Sequence, residues 1–103
     1  MPKVEYSQQA LEDLQCLKVY IATNWGDTVA KKILTKITSD IRMLEVYPVS
    51  GVDLGKAINI PTDYRYLFSE KNYVIYRLEF DRALIIRVLN EKQDFLQQLF
   101  STI

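Results

Sequence analysis

Histidine is absent from this chain, and cysteine occurs only once, at position 16. Without imidazole the usual proton shuttle near neutral pH is missing, and so is the commonest metal ligand. Cys-rich and His-rich metal sites are thereby excluded, and no motif supports a site built of carboxylates alone. A single thiol cannot form an internal disulfide. There is no cationic and apolar leader and no apolar run near 18 residues. These absences point to a soluble, reduced, cytoplasmic protein with no membrane segment, no metal and no cofactor. Net charge is lacking too, because 13 basic residues cancel 13 acidic ones. The whole-protein attraction typical of non-specific nucleic-acid binders is therefore missing, and any anion site must be a local cluster.

What is present is enough for a core. The 103 residues are 49% hydrophobic and include seven Tyr, a composition that fits one globular domain spanning 1–103. Lys3 to Tyr6 alternates as a short opening strand does. Ser7 can cap a helix in which Ala10, Leu11, Leu14, Leu17 and Ile21 share one stripe, and Asn24, Trp25 and Gly26 end it. Asp27 or Thr28 can cap a second helix, with Ala30, Ile33, Leu34, Ile37, Ile41 and Leu44 on one face and Pro48 as the stop. Residues 48–63 read as a loop around Gly51 and Gly55, with one short extended piece at Lys56 to Ile60. Three strands are expected at Tyr64 to Ser69, Tyr73 to Glu79 and Ala83 to Leu89, then an amphipathic helix at Asp94 to Phe100. The expected fold is α+β: an N-terminal strand, then an antiparallel two-helix hairpin packed on a twisted, mainly antiparallel sheet with a three-strand meander, and a short C-terminal helix.

Arg77 and Arg87 interrupt otherwise apolar strands, and strand register decides where they point. A three-residue loop at Phe80, Asp81 and Arg82 sets Val74, Tyr76 and Leu78 across from Val88, Ile86 and Leu84 as an apolar, helix-facing side. Tyr73, Ile75, Arg77, Ile85 and Arg87 then fall on the reverse side. A two-residue turn would drive one arginine into the core, which is unfavourable for an unpaired charge. A three-residue loop at Glu70, Lys71 and Asn72 likewise places Tyr64, Tyr66 and Phe68 toward the core and Arg65 across from Arg77. Arg65, Arg77 and Arg87 then share an uncovered face that would hold an anionic partner, with Lys92 adding charge near the rim. The alternative reading is a wet sheet face whose charges pair locally, for instance with Glu79. Trp25, at the tip of the hairpin, reads either as a partner anchor or as a contact closing the hairpin.

The order Ala10-Leu11-x-Asp13-Leu14, Tyr20-Ile21, Pro48-x-x-Gly51, Tyr64-Arg65, Tyr73-x-x-Tyr76-Arg77 and Ile86-Arg87-Val88-Leu89-x-x-Lys92-Gln93-Asp94 resembles the RelE/ParE family of bacterial toxins. The resemblance covers nearly the whole chain. It implies a growth-inhibiting, plasmid-stabilising toxin of a type II toxin–antitoxin module, held inactive by a cognate antitoxin protein, as a homodimer or in a hetero-oligomer with that antitoxin. Phe95, Leu96, Leu99 and Phe100 would be antitoxin contacts. The family divides between inhibitors of DNA gyrase and ribosome-dependent mRNA endoribonucleases. In a nuclease Arg65, Arg77 and Arg87 would be the candidate catalytic residues, steadying the phosphate charge. Where family members often read leucine-histidine-glycine-arginine-glutamine-aspartate, this chain has Leu89-Asn90-Glu91-Lys92-Gln93-Asp94. Asn90 cannot exchange a proton at pH 7, and Lys92 lacks arginine's two-pronged grip. The departures lean toward gyrase inhibition by binding. A degenerate member that binds antitoxin without toxicity is the remaining alternative.

Overall fold

The computed structural model describes residues 2–93 and residue 99. The expected final helix, Asp94 to Phe100, otherwise lies outside the described residues. In chain order the elements are β1 (Lys3–Tyr6), α1 (Gln8–Trp25), α2 (Asp27–Arg42) with a single 3₁₀ turn at Met43–Glu45, β2 (Val52–Asp53), α3 (Leu54–Ile58), β3 (Arg65–Ser69), β4 (Asn72–Leu78) and β5 (Arg82–Asn90). The sheet has the order β1-β5-β4-β3-β2, with β1 parallel to β5 and the other neighbours antiparallel. This is the expected α+β fold, with a mixed five-stranded sheet in place of an opening strand and a three-strand meander.

The helical hairpin follows from local chemistry. Ser7 Oγ accepts the Ala10 N–H at 3.0 Å and donates to the Ile86 carbonyl at 2.7 Å, so the capping residue also ties the start of α1 to β5. Gly26 alone joins the helices at φ 97° and ψ 164°, a backbone region that suits a residue without Cβ. Its N–H closes α1 on Ala22, and its carbonyl opens α2 by accepting from Ala30. Asp27 is thus not the cap expected from the sequence. It is the first helical residue, where a carboxylate complements the positive end of the helix dipole. The stripes of both helices meet the sheet: Ala10, Ile37, Ile41 and Leu44 pack with Val74, Tyr76, Ala83, Ile85 and Val88 in one core.

Both hairpins of the meander depart from the expected register. The β3–β4 loop has two residues, Glu70 and Lys71, and Ser69 pairs with Asn72. Glu70 and Lys71 both have positive φ, 48° and 67°, as a type I′ turn requires. Asn-Gly is the sequence signature of that turn, and Glu-Lys conceals it; each non-glycine residue held there costs roughly 1–2 kcal/mol. Arg65 therefore stands opposite Tyr76, and Leu67 opposite Val74, on the helix side. Tyr66 and Phe68 point the other way, with Ile75 and Tyr73. Tyr64, Tyr66 and Phe68 are not the core side.

The β4–β5 loop also has two residues, since Glu79 N–H bonds the Arg82 carbonyl at 2.9 Å. A register shift at Ile75/Tyr76 leaves Ile86 unpaired, as a bulge does, so Val74 faces Val88 and Ile75 faces Arg87, while Tyr76 faces Ile85 and Leu78 faces Ala83. The extra residue restores the phase that the shorter turn removes. A two-residue turn therefore does not force an arginine into the core, as a regular ladder would have required. Residues 54–58 are helical, where an extended piece at Lys56 to Ile60 was expected; Asp53 caps this turn by accepting the Lys56 N–H.

Candidate functional site

The three arginines do not assemble. Arg65 lies on the helix face of β3, and its Nη2 donates to the carbonyls of Gly51 at 2.8 Å and Val49 at 3.1 Å. Arg77 donates to Glu79 Oε2 from Nη2 at 2.7 Å and from Nε at 3.2 Å. Glu79 also takes Arg82 at 2.6 Å, and Arg82 reaches Glu5 on β1 at 2.6 Å. The hydrogen bond from Arg77, followed by that from Arg82, holds the Glu79 carboxyl below the usual range. Arg87 meets Asp13 of α1 in a two-pronged pair, Nε to Oδ2 at 2.8 Å and Nη2 to Oδ1 at 3.0 Å. Side-chain exposures there are only 16% and 15%. That hydrogen bonding, opposed by burial, raises the guanidinium's proton affinity.

The shared anion face predicted for Arg65, Arg77 and Arg87 is thus replaced by three separate internal contacts. Its physical cause is the register: one residue fewer in the β3–β4 loop turns Arg65 to the opposite side of the sheet from Arg77. Nor is the reverse face bare, because Ile75 and Leu89 on it are 0% and 1% exposed. Lys92 is exposed, and its backbone N–H donates to Asn90 Oδ1 at 2.9 Å. Of the four residues assigned to antitoxin contact, Phe95, Leu96 and Phe100 lie outside the described residues, and Leu99 is half-buried.

Asp13 was missed as the partner of Arg87, although the sequence carries a signal for it. It sits three residues after Ala10, inside the apolar stripe of α1, where a carboxylate needs a partner. It also accepts the Val88 N–H at 2.9 Å, which satisfies β5 beyond the end of its pairing with β1.

A concavity lies beside the α1–α2 junction, with a volume of ≈ 800 Å³. Leu17, Ile21, Ile33 and Val88 line its buried and half-buried depths. One lip is aromatic: Tyr20 and Trp25 are 59% and 61% exposed and meet edge to face at 5.8 Å. Val29, the Glu70-Lys71 turn and residues 90–93 also line it. Exposed aromatics around an apolar floor are the composition of a protein-recognition surface. A second hollow of ≈ 780 Å³ runs between the helices over Leu14, Ala30 and Leu34, and its described lining residues include no aromatic. Among the described residues no helix is long and apolar enough to cross a membrane.

Residues 4–95 match the family described as ParE toxin of type II toxin-antitoxin system, parDE. The chain belongs to the ParE toxin family. A solved structure titled "Chromosomal ParDE TA system from P. aeruginosa" is similar to it with a TM-score of 0.74 at 17% identity, over 87% of this chain and 96% of that one. At such identity the likeness speaks for the fold alone. Comparison with curated protein sequences gives no significant match.

Proposed function

We propose that this chain is the toxin of a type II toxin–antitoxin pair, that it arrests growth when free of its antitoxin, and that it acts by binding a protein target. The resemblance suggests DNA gyrase as that target. Family membership supports the first part. The observation that carries the binding mode is the disposition of the three guanidiniums, engaged with the Val49 and Gly51 carbonyls, Glu79 and Asp13. A phosphate would have to displace those partners. The groove lined by Trp25 and the Glu70-Lys71 turn, by contrast, has an apolar floor and exposed aromatics among the described residues, which supports a site for a protein partner.

The second reading is a ribosome-dependent mRNA endoribonuclease, and one observation favours it. Tyr66 and Phe68 meet Tyr73 edge to face at 5.4 and 5.0 Å on the sheet face away from the helices, with Phe68 50% exposed. Such a cluster can stack nucleobases. Two assays separate the readings: supercoiling by purified gyrase, and mRNA integrity on programmed ribosomes, each with the purified chain added. Loss of supercoiling with intact mRNA supports binding to gyrase, while site-specific mRNA cuts would overturn it. Normal growth on induced expression without antitoxin would point instead to a member that has lost toxicity.

A further inference from the structure

The two edges of the sheet end in different ways. At one, β2 has only two residues and gives way at once to α3. At the other, β1 is four residues long and pairs with β5 on one side only. The Lys3 N–H donates to the Asp81 carbonyl at 3.1 Å and the Ser7 N–H to that of Ile85 at 2.9 Å. The backbone groups of Val4 and Tyr6 therefore point the other way, out of the sheet. An edge of this kind is a template for another strand. Here a side chain occupies it. Glu45, in the 3₁₀ turn that follows α2, accepts the Val4 N–H through Oε2 at 3.0 Å, across 41 positions of sequence. The same carboxylate, with Arg42, acts on the Tyr6 hydroxyl, whose proton affinity is raised chiefly by burial.

We infer that Glu45 holds the β1 edge shut against a second copy of this chain. The edge is complementary to itself once the carboxylate is gone. Val4 and Tyr6 pair with Ala83 and Ile85 of the core and share their side of the sheet, so Lys3 and Glu5 lie together on the reverse side. Antiparallel pairing about a two-fold axis at Val4 lets the two Val4 residues exchange their outward N–H and carbonyl groups. It also sets Lys3 of each copy opposite Glu5 of the other, and directly opposed unlike charges stabilise a strand pair. The neighbouring register, centred on Glu5, sets like charges face to face. In the wild type Glu45 sits on the donor that the favourable register needs. The assignment does not depend on which target the chain acts on.

The test is the concentration dependence of mass for the purified full-length chain, by sedimentation equilibrium, with hydrogen exchange at the Val4 amide as a local readout. At low concentration the Val4 amide of Glu45→Ala should exchange about tenfold faster than in the wild type, as the loss of one charge-assisted hydrogen bond predicts. At higher concentration Glu45→Ala should dimerise where the wild type is monomeric. Glu45→Gln keeps an acceptor and should behave as the wild type. Lys3→Glu added to Glu45→Ala should weaken the dimer about tenfold, because two attractive pairs become repulsive. Three results would each overturn the inference: Glu45→Ala that dimerises no more than the wild type, a Val4 amide indifferent to the substitution, or a dimer that Lys3→Glu leaves unchanged.

Discussion

Arg65 and Tyr76 stand directly opposite each other on β3 and β4, and both reach the same loop. The Tyr76 hydroxyl accepts the Gly51 N–H at 3.0 Å and donates to the Pro48 carbonyl at 2.9 Å, while Arg65 holds the carbonyls of Val49 and Gly51. The Pro48-x-x-Gly51 segment is thus fastened to the sheet by two side chains that the core presents. Tyr76→Phe keeps the buried ring and removes both hydroxyl bonds, so it should lower stability by about 1–3 kcal/mol. Urea unfolding followed by Trp25 fluorescence measures it.

Gly51 is where this fastening is tightest. A Cβ there would overlap the Tyr76 hydroxyl and lie 2.7 Å from the Tyr66 carbonyl oxygen. Gly51→Ala should therefore cost about 1–3 kcal/mol, the range for overpacking a filled site. Gly51→Ala combined with Tyr76→Phe should cost less than the sum of the two, because the second change removes the overlapping oxygen. A double-mutant cycle by urea unfolding checks this; simple additivity would contradict the stated contact.

Asp13→Ala leaves the Arg87 guanidinium and the Val88 N–H without their shared partner. A loss of about 2–4 kcal/mol is expected, somewhat below the range for a fully buried pair. Arg87→Met should cost less than Asp13→Ala, because the Asp13 carboxyl left behind keeps the Val88 N–H and can take up a proton, whereas a stranded guanidinium cannot lose one. Equal losses would show that the ion pair itself accounts for the effect, with no added cost from the stranded guanidinium or the Val88 N–H.

Glu79 supplies a pH signature. Its hydrogen bonds from Arg77 and then Arg82 depress its folded-state proton affinity, so the stability it contributes is fully present above the ordinary Glu value of about 4.3. That contribution falls away as pH drops through the lower folded value, where the carboxyl protonates. The melting-temperature gap between wild type and Glu79→Gln should be widest near neutrality and close as pH falls below 4. A gap independent of pH would remove the carboxylate from the explanation.

Much of the architecture is legible in the sequence. The apolar stripes from Ala10 to Ile21 and from Ala30 to Leu44 gave the hairpin because helical periodicity repeats over many residues, and the serine cap at position 7 needs only local geometry. The three meander strands lie within a few residues of where the sequence predicts them, because their apolar runs are bounded by polar turns. The family was legible from the order of short motifs along the chain.

Register was not legible, and with it went the site. The sequence by itself determined the opening strand, the two long helices and the three strands of the meander, and that Arg65, Arg77 and Arg87 lie in those strands. Only the tertiary structure decided which way those arginines point. Side chains alternate with period two, so one residue in a turn reverses a whole strand. The Glu70-Lys71 turn hides its type behind residues that rarely adopt positive φ, and the bulge at Ile86 offsets a shorter turn with no mark in the sequence. Asp13 and Arg87 are 74 positions apart, and their pairing exists only once α1 has been laid along the edge of β5.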